Sequence, residues 1–196
     1  MTHRRLHFVP LIALMLSLGF AWAESNTHVH GRATLQLALD GSQLTLSLES
    51  PLEALVGFEH SPRNAAEREI VRRIGQDLRQ ADTLFTLSPA AQCRLEQVLL
   101  SSGALPAELL QKPQAAAGVK SQADSSRGSA RPTQSDVHSD LLAEYRYSCA
   151  QPERLRSLQT GAFKAFTKLR RIEVERATST GQGLHRLTPS QAGISW

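Results

Sequence analysis

Strict alternation of apolar and polar residues in two separate runs constrains the fold of this chain more than any other feature. In the first run, residues 29–39 and 43–49 alternate on both sides of Asp40-Gly41, a dipeptide that favours a type I′ turn. The pattern predicts a β-hairpin in which a two-residue turn pairs Arg32 with Glu49, whereas a four-residue turn would shift the pairs but keep the faces. The apolar face of this hairpin is predicted to comprise Val29, Ala33, Leu35, Leu37, Leu39, Leu44, Leu46 and Leu48.

The second run of alternation, residues 137–149, predicts another strand with one apolar face. That face comprises Leu141, Ala143, Tyr145, Tyr147 and Cys149. Between the two runs, a helix is predicted to begin at Ser61-Pro62, or at Asn64 with Glu67 completing a capping box. The buried stripe of this helix is predicted to comprise Ile70, Val71, Ile74, Leu78 and Ala81.

The remaining segments predict an α+β domain. Residues 93–100 and 171–177 are interpreted as strands, together with a short piece near Ile194. A second helix is predicted to begin at Pro152, with apolar positions Leu155, Leu158, Ala162, Phe163 and Phe166. We therefore expect a single α+β domain over residues 24–196, with the order ββαβ–insert–βαββ, a mostly antiparallel sheet and two helices packed on that sheet.

The first 23 residues have the organisation of a secretory signal peptide. Arg4 and Arg5 form a positive start, residues 8–20 are an uncharged Leu-rich run, and Ala21-Trp22-Ala23 supplies the small-x-small cleavage site. The run is shorter than the roughly 20 apolar residues of a spanning helix, and no second stretch of that length follows. We expect cleavage after Ala23, export to the periplasm and no stable membrane span in the mature chain.

The charge of the chain gives little support for a nucleic-acid partner. The formal net charge of +4 falls to +2 once Arg4 and Arg5 are removed with the signal peptide. A basic cluster remains, but exposed aromatic residues are not interleaved with it, so we interpret it as a solvated face, with polyanion binding as the alternative. The cluster comprises Lys164, Lys168, Arg170 and Arg171.

The two cysteines, Cys93 and Cys149, are expected to form a disulfide because an exported chain enters an oxidising compartment. Their spacing excludes a C-x-x-C redox motif and disfavours a thiolate zinc site. Closing this loop stabilises the fold by about 4 kcal/mol in the chain-entropy model. The loop contains an insert at about residues 101–135, rich in Ser, Ala, Gln, Gly and Pro. We predict that this insert is flexible, with one helical turn at most near residues 105–110, and that the disulfide tethers it near both ends.

Histidines supply the candidate metal ligands. His28 and His30 lie two residues apart on a predicted strand, so their rings project from the same face. Glu59-His60 is a second pair before the helix, and His138 shares a strand face with Asp140. Zinc is bound by about four such donors, so these three segments form a site if the sheet brings them together.

Each histidine also has a purely structural interpretation. The pair His28 and His30 can be solvent-exposed, His60 can hydrogen-bond locally near the helix start, and His138 can be a surface strand residue. His185 lies in a Gly/Ser/Thr-rich stretch and is expected to have no function. Motifs of hydrolases and nucleotide-binding enzymes (G-x-S-x-G, the P-loop and H-E-x-x-H) are missing from the sequence, so we expect no enzymatic activity.

Several of these motifs together resemble one known family. His28-Val-His30-Gly31-Arg-Ala33-Thr-Leu35, Glu49-Ser50-Pro51 and Gly57-Phe58-Glu59-His60 are similar to the opening of ZrgA-type periplasmic zinc-uptake proteins. His138-Ser139-Asp140 and Tyr145-Arg-Tyr147-Ser-Cys149 resemble the second half of that family, including its paired cysteines. The resemblance extends over most of residues 28–196.

The resemblance implies an exported accessory protein that binds zinc and helps to deliver it to zinc-uptake transport components of the envelope. By the same resemblance, the ligands are His28, His30, His60 and His138. Glu59 and Asp140 are then further ligands or partners that orient the imidazoles. Imidazole also suits copper and nickel, so other divalent transition metals are not excluded as the bound ion.

The insert departs from the pattern of the family. Family members commonly have a His- and Asp-rich tract there, whereas residues 103–134 of this chain contain no histidine and only two acidic residues, Glu108 and Asp124. We therefore expect one ordered site rather than capture of many ions by the insert. Such a site requires His138 to lie within about 10 Å of His30 and His60, because Zn–N bonds are only about 2 Å long.

Two other functions are open at this point. The chain could be an envelope protein–protein interaction module that has lost metal binding and docks through a sheet edge or through the insert. A metal-dependent hydrolase ranks last, because it requires an open coordination position beside a pocket and the sequence indicates no substrate.

Overall fold

The computed structural model describes residues 30–111 and 139–196, in which nine strands and five helices are present. The strands are β1 (Arg32–Asp40), β2 (Gln43–Pro51), β3 (Phe85–Leu87), β4 (Cys93–Ser102), β5 (Asp140–Cys149), β6 (Ser157–Thr160), β7 (Arg171–Thr178), β8 (Gly181–Leu187) and β9 (Gly193–Ser195). The helices are α1 (Leu52–Leu55), α2 (Ala65–Arg79), α3 (Ala81–Leu84), α4 (Ala107–Leu110) and α5 (Ala162–Ala165), with 3₁₀ turns at Pro89–Ala91 and Pro152–Arg154. The predicted signal peptide, His28, His138 and most of the insert lie outside the described residues.

Six of the strands form one sheet in the order β4-β5-β2-β1-β7-β8. All neighbouring pairs in this sheet are antiparallel except β1 and β7, which run parallel. The other three strands form a small antiparallel sheet in the order β3-β6-β9. The prediction of a single α+β domain with a mostly antiparallel sheet is confirmed.

The core lies on one face of the six-stranded sheet. Most of the side chains that the alternation assigned to this face are buried, including Leu35, Leu46 and Tyr145, each with no exposed surface, whereas Leu39 is only partly buried and Val29 lies outside the described residues. Helix α2 and the small sheet cover the face, and both touch Tyr145. Its hydroxyl donates a hydrogen bond of 2.7 Å to the carbonyl of Leu78, and its ring forms a T-shaped contact with the ring of Phe85, with centroids 5.1 Å apart.

The hairpin of β1 and β2 has the predicted faces but not the predicted register. Gly41 and Ser42 form the turn, so Asp40 pairs with Gln43, and Thr34, not Arg32, lies opposite Glu49. Gly41 has φ +55°, and of the two turn residues it alone has a positive φ, as in a type II′ turn. The register differs from the predicted one by two residues. Because side chains alternate with a period of two, this difference leaves the apolar face unchanged.

Helix α2 begins as the capping pattern predicts. The Asn64 side chain accepts a hydrogen bond of 2.9 Å from the backbone N–H of Glu67. The Glu67 carboxylate accepts one of 2.6 Å from the N–H of Arg63, one residue earlier than in a standard capping box. Asn64 is therefore the helix cap, and Ser61-Pro62 lies in the preceding loop.

The prediction of a long helix after Pro152 is wrong. Residues 152–154 form a single 3₁₀ turn, 157–160 form β6 at the centre of the small sheet, and only 162–165 are helical. Leu158 and Thr160 are buried while Gln159 is exposed, so the segment follows a period of two.

Strand β8 was also missed, because its Gly-rich sequence has no apolar alternation. It pairs along its whole length with β7, with His185 opposite Val174.

The disulfide between Cys93 and Cys149 is present, but its position differs from the expectation. The two cysteines pair directly at one end of the β4–β5 ladder, and the insert leaves from the other end, beyond the pair Ser102 and Leu141. The ladder of β4 and β5, rather than the disulfide, therefore holds the two ends of the insert together. Helix α4 is the predicted helical turn at the start of the insert.

Candidate metal centre

Six strand ends meet at one end of the six-stranded sheet. Strands β1, β5 and β7 begin there, and strands β2, β4 and β8 end there. The register pairs that define it are Arg32 with Arg171, Pro51 with Asp140, and Ser102 with Leu141. We refer to it as the His30 end, because His30 lies in the turn just before β1. The motif segments of both halves of the chain therefore reach the same end of the sheet.

His30 lies in a turn with Gly31 and not on a strand, so the prediction that it projects from a strand face is wrong. Its side chain is 76% exposed, and its Nδ1 lies 3.4 Å from Oε2 of Glu53, in the first turn of α1. Because Nδ1 is the ring nitrogen close to the carboxylate, Nε2 is the nitrogen that is left to act as a ligand.

Lys168 connects the turn of His30 to the loop that follows α1. Its ammonium lies 3.4 Å from Oε1 of Glu53, on the carboxylate oxygen that does not face His30. Gly31 has φ +72°, and a Cβ there would lie 2.8 Å from the carbonyl oxygen of Lys168. Gly57 has φ +92°, and a Cβ there would lie 3.2 Å from the ammonium of Lys168. Both motif glycines therefore have a left-handed backbone, and at both positions an added side chain would meet Lys168.

The backbone of Gly31 is also fixed by the segment that precedes β7. Its carbonyl accepts hydrogen bonds from the N–H groups of Arg170 and Arg171, at 2.7 and 3.1 Å. These bonds continue the parallel β1–β7 pairing by one residue and hold the turn against the sheet. The basic cluster predicted to be a solvated face thus contributes backbone and side-chain contacts to the His30 end.

His60 has one ring nitrogen occupied by the protein. Its Nδ1 lies 2.9 Å from the carbonyl oxygen of Ser61. Because a carbonyl oxygen only accepts hydrogen bonds, Nδ1 carries a hydrogen, and in the neutral ring the lone pair is therefore on Nε2. The ring stacks on Phe58, with centroids 4.9 Å apart and planes 21° apart. The same nitrogen lies 4.0 Å from Oε2 of Glu67, so both described candidate histidines have a carboxylate near Nδ1.

Ser139 joins the second half of the chain to this loop. Its carbonyl accepts a hydrogen bond of 2.8 Å from the N–H of Leu52, and its hydroxyl donates one of 3.0 Å to the carbonyl of Glu59. On the other side of the insert, the Ser61 hydroxyl donates a bond of 2.6 Å to the carbonyl of Ala104. Both ends of the insert are therefore bonded to the loop that contains Glu59 and His60.

The described residues contribute two of the four predicted histidines, His30 and His60. Among residues 30–111 and 139–196, no group of three or more His, Cys, Asp or Glu side chains lies close enough to hold a metal ion. Glu59 is exposed and contributes its backbone carbonyl to the contact with Ser139, while Asp140 is half-buried at the start of β5.

His185, predicted to have no function, lies on strand β8 at the far edge of the sheet from β4 and β5. Its Nε2 is buried and makes no hydrogen bond within the described part of the chain.

Two residues of the His30 end were not singled out from the sequence for a role in a site. Glu53 contacts His30, and Lys168 contacts Glu53 across a sequence separation of 115 residues. A signal for Glu53 was present, because an antiparallel hairpin brings the end of β2 beside the start of β1, and Glu53 is the second residue after β2. The contact of Lys168 depends on the parallel pairing of β1 and β7, which local patterns do not reveal.

No helix within the described residues has the length and apolar character needed to cross a membrane.

Comparison with known proteins assigns most of the chain to a family. A search of curated proteins finds no match. The family model of the ZrgA family zinc uptake protein matches residues 27–196, which is most of the chain. The chain therefore belongs to the ZrgA family of zinc uptake proteins.

Proposed function

We propose that this chain is an exported, periplasmic zinc-binding protein that assists zinc uptake without enzymatic turnover. The proposed ligands are His28, His30, His60 and His138, around one site at the His30 end. Glu59 and Asp140 are candidate further ligands, and the partners are zinc-uptake transport components of the envelope. The disulfide between Cys93 and Cys149 is consistent with export, because such bonds persist in oxidising compartments.

The observation that carries this proposal is the position of Ser139. Two hydrogen bonds connect it to Leu52 and Glu59, within the segment that contains Glu53 and His60. His138 directly precedes Ser139 in the chain, and His28 lies two residues before His30. Consecutive Cα atoms are only about 3.8 Å apart, so the chain keeps His28 and His138 within one or two residues of His30 and Ser139, which the structure describes at this end of the sheet.

The chemistry of the described histidines fits a zinc ligand. In zinc sites, the second ring nitrogen of a ligating histidine usually meets a carboxylate or a backbone carbonyl, which fixes the ring and leaves the other nitrogen for the metal. Nδ1 of His60 meets a carbonyl, and Nδ1 of His30 meets a carboxylate. Capture and release then follow from ligand protonation, because imidazolium does not bind metal and affinity falls as the pH drops.

The experiment that tests the proposal is a calorimetric zinc titration of residues 24–196. We expect one-to-one binding in the parent chain and at least tenfold weaker binding in the His30→Ala/His60→Ala variant. His185→Ala is the matched control, because it removes an imidazole on β8 and should leave zinc affinity unchanged. Absence of zinc binding with a Kd below about 100 μM, which corresponds to a binding free energy of about 5.5 kcal/mol, would contradict a zinc-binding role.

A second candidate function, an envelope interaction module, is favoured by the edges of the six-stranded sheet. Edge strand β4 exposes Leu95 and Leu99, at 39% and 44%, and edge strand β8 exposes Leu184 at 82%. Exposed edges with apolar side chains are suited to pairing with another chain.

Growth under zinc limitation separates the two functions. If zinc binding is the function, the His30→Ala/His60→Ala variant should fail to support growth, and Leu95→Ser/Leu99→Ser should support it. The reverse result would favour the interaction module.

A further inference from the structure

We propose that Glu53 positions His30 for zinc and that Lys168 holds Glu53 in place for this task. The role rests on the proposed zinc site, and it adds a carboxylate that the family resemblance did not assign. Glu53 touches His30 through Oε2 and Lys168 through Oε1, both at 3.4 Å. The carboxylate thus lies between a ring nitrogen and an ammonium group, with one oxygen for each.

The ring nitrogen that faces Glu53 identifies the role as positioning rather than ligation. Nδ1 of His30 is the atom near the carboxylate, so Nε2 is directed away from it and is available to the ion. A carboxylate on the far nitrogen fixes the tautomer, limits rotation of the ring and raises the basicity of the ligating nitrogen. His30 requires this constraint more than a buried histidine would, because its side chain is 76% exposed.

The surroundings of Glu53 explain how a surface carboxylate retains one orientation. Its side chain is 28% exposed, and the Lys168 ammonium binds the oxygen that does not face His30. Lys168 lies beside both motif glycines: an added Cβ would lie 2.8 Å from its carbonyl oxygen at Gly31 and 3.2 Å from its ammonium at Gly57. The same lysine therefore binds the carboxylate and lies close to both the turn of His30 and the loop before His60.

The experiment compares zinc affinity in Glu53→Ala and Glu53→Gln with the parent chain of residues 24–196. We expect Glu53→Ala to weaken zinc binding roughly 10- to 100-fold, the usual effect of losing such a partner. Glu53→Gln keeps an oxygen that can accept from Nδ1–H, so its affinity should lie between those of Glu53→Ala and the parent. Glu69→Ala is the matched control, because Glu69 is also an exposed carboxylate paired with a basic residue, Arg72, at 3.2 Å.

A second readout separates positioning from a general loss of structure. Nitrogen NMR of the His30 ring in the zinc-bound parent should show Nδ1 protonated and Nε2 bound to the metal. In the zinc-bound Glu53→Ala variant, the His30 ring should show a mixture of the form bound through Nε2 and the form bound through Nδ1. Thermal unfolding of the metal-free variants should stay close to that of Glu69→Ala, which would show that the loss of affinity is not caused by unfolding.

The outcomes distinguish this inference from the proposed function. If the parent binds zinc and His30→Ala weakens binding, but Glu53→Ala binds like the parent, the role of Glu53 is wrong and the zinc site remains. If the parent binds no zinc, both are wrong. An unchanged His30 tautomer in Glu53→Ala would also overturn the positioning role, even if affinity fell.

Discussion

The hydroxyl of Ser139 donates a hydrogen bond of 3.0 Å to the backbone carbonyl of Glu59, across 80 residues of sequence. This bond joins the first residue described after the insert to the loop that carries His60. Its neighbour along the chain is His138, so the bond lies between the two halves of the proposed zinc site. A contact of this kind can be removed without disturbing the core, because it lies on the surface.

Replacement of Ser139 by alanine should therefore affect zinc binding more than stability. A partly exposed neutral hydrogen bond contributes about 0.5–1.5 kcal/mol, and we expect a loss in the lower half of that range. Zinc affinity should fall by up to roughly tenfold, the lower end of the effects seen for outer partners of metal ligands. Calorimetry and urea unfolding measure the two quantities. Ser190→Ala, in the C-terminal segment, is the control, and equal zinc affinity in both variants would contradict a link between Ser139 and the site.

Removal of the disulfide should affect stability more than zinc binding. Cys93 and Cys149 lie at the end of the β4–β5 ladder opposite the insert, and ten residues of β5 span roughly 30 Å at about 3.3 Å each. A Cys93→Ser/Cys149→Ser variant should lose about 4 kcal/mol of unfolding free energy in the chain-entropy model, or less if the reduced chain retains structure. Its zinc affinity at a temperature where it is folded should match the parent.

Reductant is the control for this prediction. It should lower the unfolding midpoint of the parent to that of the variant and leave the variant unchanged. A parallel loss of zinc affinity in the folded variant would show that the disulfide supports the site directly, which contradicts the separation between the two ends.

The two tyrosines give a pH dependence that can be read by absorbance. Burial raises the pKa of Tyr147 from 10.0 to about 12, with the charge of Asp82 as the second cause. Burial, followed by the charge of Tyr147, raises the pKa of Tyr145 further. Because both folded pKa values exceed the unfolded value, the stabilisation is complete below pH 10 and is lost as the pH rises through about 12.

The chain contains only these two tyrosines, so tyrosinate absorbance reports on them alone. The native protein should show no ionisation near pH 10, followed by a steep rise above about pH 12 that accompanies unfolding. The chain unfolded in guanidinium should titrate near 10.0, the ordinary value. One tyrosine titrating at that ordinary value in the native protein would contradict the burial of its hydroxyl.

The sequence predicted the buried faces of the sheet better than its register. Alternation with a period of two identifies a face whatever the pairing, so Leu35 and Leu46 were assigned correctly although the turn lies one residue further on. Asp40-Gly41 and Gly41-Ser42 are both acceptable two-residue turns, so the local sequence does not decide between the two registers of β1 and β2. Strand β8 was missed because pairing with β7, rather than apolar periodicity, stabilises it.

In the candidate site, too, the sequence predicted some residues and missed others. Residue types and spacing predicted His30 and His60 as candidate ligands, and the structure brings both to one end of the sheet. The carboxylate of Glu53 and the ammonium of Lys168 were not identified, since their contact joins residues 115 apart through a parallel strand pair. Side chains that orient a ligand depend on such long-range pairing and have no local signature.

Replacement of Gly31 by alanine should disturb both the fold and the site, because this glycine has two constraints. Its φ of +72° costs an alanine about 1–2 kcal/mol, and the added Cβ would lie 2.8 Å from the carbonyl oxygen of Lys168. Gly41→Ala is the matched control, since Gly41 has φ +55° but no heavy atom within 4 Å of an added Cβ. Urea unfolding should therefore show a larger loss for Gly31→Ala, by at least about 1 kcal/mol, with the difference caused by the close approach of Lys168.

Zinc titration of the same two variants completes the prediction. Gly31→Ala should also weaken zinc binding, because relief of the contact moves the turn of His30 away from Glu53, whereas Gly41→Ala should bind zinc like the parent. The turn at Gly41 lies at the opposite end of β1, so its strain does not reach the His30 end. Equal stability losses in the two variants would show that the positive φ alone explains the need for glycine at position 31, without a contribution from the close approach of Lys168. Equal zinc affinities would show that the position of the turn does not determine the site.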